Sequence, residues 1–157
     1  MARSSSAVGA AAALAPFATC NMLGRSRRRI MPCVSDLQCP AIVLLFTPES
    51  IVGSDLGGRR LSGLVIASSI AAESRARVEA QRLATEHACR VEAAEIASGQ
   101  ALVEQVDQLS DLYRGETVAV VATPEAVRDA LDRTDPPNEV VAVAVDSDGW
   151  NVLSQES

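Results

Sequence analysis

The chain lacks lysine altogether, and its 157 residues hold one histidine, four aromatic side chains and no C-x-x-C pair. Each shortage removes something. With His87 as the sole imidazole, a zinc site made of histidine and cysteine has too few ligands. His87 and Cys89 are two positions apart, a spacing that sends them to different sides of a helix. His87 therefore reads as a helix-end surface residue, and Cys20, Cys33, Cys39 and Cys89 as buried or idle thiols of a reducing compartment. All fourteen basic residues are arginine, which reflects codon usage before function. The aromatics are Phe17, Phe46, Tyr113 and Trp150, so the 48% apolar share rests on Ala, Val and Leu, a mix suited to helices packed on a sheet. No apolar run is long enough to cross a bilayer, since the alanine-rich stretch from Ala7 to Cys20 is only 14 residues.

Acidic residues are missing from one region and dominate the rest. Residues 1–30 hold Arg3, Arg25, Arg27, Arg28 and Arg29 and no acid; residues 31–157 carry nine arginines against twenty acids, a net of −11. An acidic body argues against nucleic-acid binding, because backbone phosphates would be repelled. The Arg25–Arg29 cluster reads as a solvated tail. Residues 1–38 form a leader, and a single domain occupies 39–157. Rich in Ser and Arg and free of acids, the leader suits an organellar transit peptide better than a secretory signal. Translation beginning at Met31 is the favoured reading and makes the protein cytoplasmic.

The body alternates strand and helix patterns. Strands are expected over 41–46, 64–67, 117–122 and 139–145, with a further segment 150–153 after the Asp146-Ser147-Asp148-Gly149 turn. Helices are expected over 70–89, where Ala76, Ala80, Leu83, Ala84 and His87 recur at helical spacing, then over 99–113 and 124–133. Leu102, Val106, Leu109 and Tyr113 make the second helix's apolar stripe, and Gly115 stops it. Such alternation predicts an α/β fold with a mostly parallel sheet between helix layers.

Two of the strands end on the same tripeptide, Thr47-Pro48-Glu49 and Thr123-Pro124-Glu125. Threonine as N-cap, proline at the first helical position and glutamate in the first turn predict a helix after each. Both tripeptides also fall at strand carboxyl ends, where open α/β sheets bind ligands. Quieter roles suit other residues: helix capping for Ser68 and Ser69, a plain turn for Asp146 and Asp148, a lid over the last strand for Trp150. Residues 140–145 are apolar enough to pair with a second copy as an edge strand, giving a homodimer.

The order of these pieces resembles the histidine phosphatase (phosphoglycerate mutase-like) superfamily over about residues 39–155. Tyr113-Arg114-Gly115-Glu116-Thr117-Val118 through Ala122 is similar to that family's R-G-E-T-V helix end and following strand. Ala41 to Phe46 with Thr47-Pro48-Glu49-Ser50 sits where the family has a strand running into R-H-G-E-[ST]. Ser54 to Leu61 resembles a shortened G-R-x-Q loop, and Val65 to Ser69 with Arg75-Ala76-Arg77 and Ala80 resembles the S-S-x-x-x-R-A stretch. The resemblance implies a shortened three-layer α/β/α sandwich with a mostly parallel central sheet. Only 92–98 would remain of the family's long insertion, which carries an acidic catalytic residue.

At the chemistry itself the pattern departs. Thr47 replaces the histidine that attacks phosphorus, Phe46 the phosphate-clamping arginine, and Thr123 the second histidine. Arg75 alone keeps a phosphate-binding counterpart, with Ser68 as a candidate ligand contact. Pro48 and Pro124 each delete an N–H donor, and Glu49 and Glu125 add negative charge where an anion would sit. The expectation is a catalytically inactive relative without metal or cofactor, either a binding or regulatory module for a protein partner or a small anion, or a decaying paralogue with little function. A residual phosphatase relying on Arg75, Glu95 and Glu116 is the first alternative, and a small nucleotide-binding α/β domain the second. Against the latter, no G-x-G-x-x-G follows a strand; Gly57-Gly58 lies in a loop without that spacing.

Overall fold

Most apolar runs bounded by turn residues become strands, and the stretches between them with Gly or Pro only at their start become helices. The computed structural model describes residues 39–153; residues 1–38, where a leader is expected and where Cys20 and Cys33 fall, lie outside the described residues. The elements in order are β1 (Ala41–Phe46), β2 (Gly63–Ala67), α1 (Arg75–Glu86), β3 (Val91–Ala94), α2 (Gly99–Leu112), β4 (Thr117–Val121), α3 (Pro124–Ala130), β5 (Val141–Asp146) and β6 (Gly149–Leu153).

The six strands form one sheet in the order β3-β2-β4-β1-β5-β6. The first four run parallel, whereas β5 is antiparallel to β1 and β6 antiparallel to β5. The sheet is thus mixed, with parallel pairing confined to the four strands that helices or long loops separate. Ser147 and Asp148 are a two-residue connection, which can join only antiparallel neighbours. The crossover through α1 moves one place outward from β2 to β3, and the crossover through α2 returns over β2 to β4. Connections of one hand moving in opposite directions place α1 and α2 on opposite faces of the sheet. Helix α3 packs on α2, an order compatible with three α/β/α layers.

Four expectations need correction. Residues 140–145 are not an edge, because β5 lies between β1 and β6. Strand β3 was not anticipated: Val91-Glu92-Ala93-Ala94 is short and carries an exposed acid, so it shows no apolar run. The first long helix starts at Arg75, since Ser74, not Ser68 or Ser69, accepts the capping bond from the Arg77 N–H at 3.3 Å. Last, no helix follows Thr47-Pro48-Glu49. Ile51 N–H reaches the Thr47 carbonyl at 3.2 Å, making one turn, and Gly53 at φ +72° then turns the chain away. Ile51, fully buried, anchors that turn in the core.

Helix α1 stops three residues earlier than its periodicity suggests. The Cys89 N–H bonds the Ala84 carbonyl at 2.9 Å and the Ala88 N–H bonds that of Thr85 at 3.3 Å, a Schellman closure with Ala88 at φ +53°. A side chain in the left-handed region costs about 1 kcal/mol. Ala88→Gly should therefore stabilise the protein by up to about 0.5 kcal/mol once the larger unfolded-state entropy of glycine is counted. Urea unfolding checks this, and a lower midpoint in the variant would contradict it.

The core joins both faces of the sheet. Leu64, Ile66, Ala76, Ala80 and Leu83 pack where α1 meets β2; Val43, Leu45, Leu102, Val106, Val118 and Val143 are buried with them, and the α2 stripe is as expected except that Tyr113 is half-buried. Trp150 is half-buried too, and its Nε1–H donates to Asp107 Oδ1 at 3.0 Å, tying β6 to α2. No helix among the described residues is long and apolar enough to cross a membrane.

Candidate functional site at the carboxyl edge of the parallel strands

Because β3, β2, β4 and β1 run the same way, their exits share one edge. Phe46 of β1 and Ile66 of β2 both register with Val121 of β4, and Ala67 registers with Ala94. The residues just beyond are Glu95, Ser68, Ala122-Thr123 and Thr47, in that order across the edge. The Ala122 N–H donates to the Phe46 carbonyl at 3.0 Å, so the ladder continues to the point where the two threonines leave it.

Thr47 is 3% exposed, and both its polar groups are used locally. Its hydroxyl accepts from the Ser50 N–H at 3.2 Å, while its own N–H donates to Ser50 Oγ at 2.9 Å. This reciprocal pair has the logic of a capping box with serine as the returning residue. Sequence reading missed Ser50, although the Thr-x-x-Ser spacing contained the signal. Thr123 caps α3 as expected: its hydroxyl accepts from the Ala126 N–H at 3.4 Å, Pro124 opens the helix and Glu125 lies in its first turn. Neither hydroxyl is poised as a nucleophile, because among the described residues neither bonds a basic side chain.

The remaining candidates divide between two edges. Ser68 stands at the carboxyl edge, where its N–H and Oγ both donate to the Ala94 carbonyl, at 2.8 and 3.1 Å. It stitches β2 to β3 and caps no helix. Arg75, the first residue of α1, is exposed at the same edge, and its guanidinium has no hydrogen bond or ion pair with another described residue. Arg77 is already engaged, Nε donating to the Ile70 carbonyl at 2.9 Å. Arg128 of α3 is held by Asp129 at 2.7 Å, which raises its pKa further above its already high value.

His87 is on the far side. It caps the other end of α1, a helix of twelve residues and therefore about 18 Å long. Its Nδ1 accepts from the Leu61 N–H at 3.4 Å, at the amino-terminal approach to β2. The one imidazole thus serves as a structural acceptor a strand's length from both threonines. Glu116 is at the amino edge as well, its carbonyl accepting from the Ile42 N–H at 2.9 Å. The set Arg75, Glu95 and Glu116 is consequently split, with Glu116 across the sheet from the other two.

Asp146 Oδ1 accepts from the Asp148 N–H at 2.9 Å, an Asx turn, and the described residues contain no cluster of three or more potential metal ligands. Burial pushes the Cys89 thiol up, away from the reactive thiolate. A hollow of about 760 Å³ opens between residues 50–59 and the approach to β5, floored by Leu44 and Ala142. Its lining residues include the acids Asp55 and Glu139 beside one base, Arg59, a charge balance that does not favour a small anion. No family model matches the chain, and neither a curated protein nor a solved structure matches it.

Proposed function

We propose that this chain is a catalytically inactive, shortened histidine phosphatase-like protein, a three-layer α/β/α sandwich of phosphoglycerate mutase type that acts as a binding or regulatory module. The observation that carries this reading is the use of Thr47 and Thr123. They occupy neighbouring strand exits where the resemblance implies two phosphate-handling histidines, and each spends its hydroxyl on closing a turn. The phosphate-clamp position holds a fully buried Phe46. Glu49 and Glu125 are exposed at the same edge as Arg75, and Arg128, next to Glu125, is already paired with Asp129. That balance favours a protein partner over a small anion.

The test is turnover of an aryl phosphate by the unmodified protein, beside a variant carrying Thr47→His, Pro48→Gly, Thr123→His and Pro124→Gly. Neither should turn over substrate, because the histidines return without their clamp, and the unmodified protein should form no phosphohistidine with a phosphodonor. Turnover by the unmodified protein that disappears in Arg75→Ala would mean a working phosphatase and end the proposal.

A further inference from the structure

Strand β6 is an edge of the sheet, and its composition is unusual for this chain. Gly149-Trp150-Asn151-Val152-Leu153 contains no charge and no proline, whereas the body around it has a net charge of −11. Edge strands are ordinarily guarded by charged residues, proline or a bulge. At the opposite edge β3 follows that rule, with exposed Glu92 in the strand and Glu95 just after it. On β6, Val152 is instead 50% exposed and Leu153 37%.

The outward backbone groups of this edge, unpaired among the described residues, are self-complementary. Asp146 and Gly149 close the two-residue turn as a paired set, and the register continues through Ala144 with Asn151 and Ala142 with Leu153. In an antiparallel ladder the backbone groups of successive residues alternate between the two sides. Gly149, Asn151 and Leu153 therefore bond toward β5, while Trp150 and Val152 present their N–H and C=O groups outward. A two-fold axis through Asn151 sets Trp150 opposite Val152 of a second copy, and Val152 opposite its Trp150. Those are the residues with outward groups, so the pairing satisfies all of them.

The side chains fit the same register. Trp150 and Val152 are two apart and share the face on which Trp150 meets Asp107 of α2. Each half-buried indole would cover an exposed Val152 across the seam, an aromatic–β-branched pair of the kind that favours antiparallel pairing. The register, which pairs this edge with itself, selects a second copy as the occupant, and charge permits it. A second copy is as acidic as the first and is repelled over most of its surface, yet over these five positions no acid opposes another.

We infer that β6 is the homodimerisation edge, joining two copies into a continuous twelve-stranded antiparallel-seamed sheet about an axis through Asn151. This inference is independent of the phosphatase resemblance.

Sedimentation equilibrium on the full chain tests it, using Asn151→Glu and Asn151→Lys. Asn151 is exposed, and each substitution places like charges opposite each other on the axis. The unmodified protein should associate reversibly, and each variant alone should have a dissociation constant raised about fivefold or more. An equimolar mixture of the two variants should recover association as a heterodimer. A monomer at every concentration would overturn the proposal, as would association unaffected by either variant or not recovered on mixing.

Discussion

Phe46→Arg should abolish cooperative folding and restore no phosphate binding. The side chain is 0% exposed at the end of β1, which lies between β4 and β5. Truncating a buried phenylalanine costs about 3–5 kcal/mol through lost transfer energy and the cavity left behind. An arginine at the same place adds the cost of burying a charge with no carboxylate arranged to receive it, several kcal/mol more after relaxation. The sum approaches or exceeds the whole stability of an ordinary domain, about 5–15 kcal/mol. Circular dichroism with urea unfolding checks the result, with Phe46→Leu as the conservative control expected to lose about 1 kcal/mol. A cooperative Phe46→Arg transition near the wild-type midpoint would show that this position reaches solvent.

That result bears on function. A phosphate clamp needs an arginine whose guanidinium emerges at the strand exit, and here the position belongs to the core. The loss proposed for the site is then more than the exchange of two histidines. The strand end itself is packed into the core, and Thr47 and Ser50 close the turn that follows it. An edge built this way can present surface to a partner but offers little with which to bind phosphate.

Elements with strong local signals were legible. Val/Leu-rich β1 and β4, the α2 stripe and the Thr123-Pro124-Glu125 start of α3 all lie within a residue or two of their expected places. The failures arose where tertiary contacts overrode local preference. Thr47-Pro48-Glu49 has the same start signal as its twin, yet Gly53 and the burial of Ile51 limit it to one turn. Strand β3 is held by pairing with β2 and by the Ser68 bonds, not by its own residues. The order of the strands was illegible too, because a run such as 141–146 reads alike whether internal or at an edge. For the site, the strand exits were readable from the tripeptides. The commitment of Thr47 to Ser50 was present in the Thr-x-x-Ser spacing but not read from it, and the separation of Glu116 from Arg75 emerged only from the strand order and direction.

Gly99→Ala should destabilise the protein by about 2 kcal/mol, against the usual gain of about 1 kcal/mol for that exchange in a helix. The reason is a close approach of α2 and α3. A β-carbon at Gly99 would be 2.6 Å from Asp129 Cβ, 2.8 Å from the Ala130 nitrogen and 2.9 Å from the Asp129 carbonyl carbon. Two of these neighbours are backbone, so no rotamer change relieves the clash, and the two helices must move apart. Gly99 is also the first residue of α2, held by the Ser98 cap whose hydroxyl accepts from the Ala101 N–H at 3.2 Å. A shift there therefore strains the cap as well. Urea unfolding measures the loss, with exposed Gln100→Ala as a near-neutral control on the same turn. Asp129→Gly removes the nearest atom, so the Gly99→Ala/Asp129→Gly pair should cost less than the two single changes added together. Strict additivity, or a stabilised Gly99→Ala protein, would mean that α2 and α3 do not meet at this glycine.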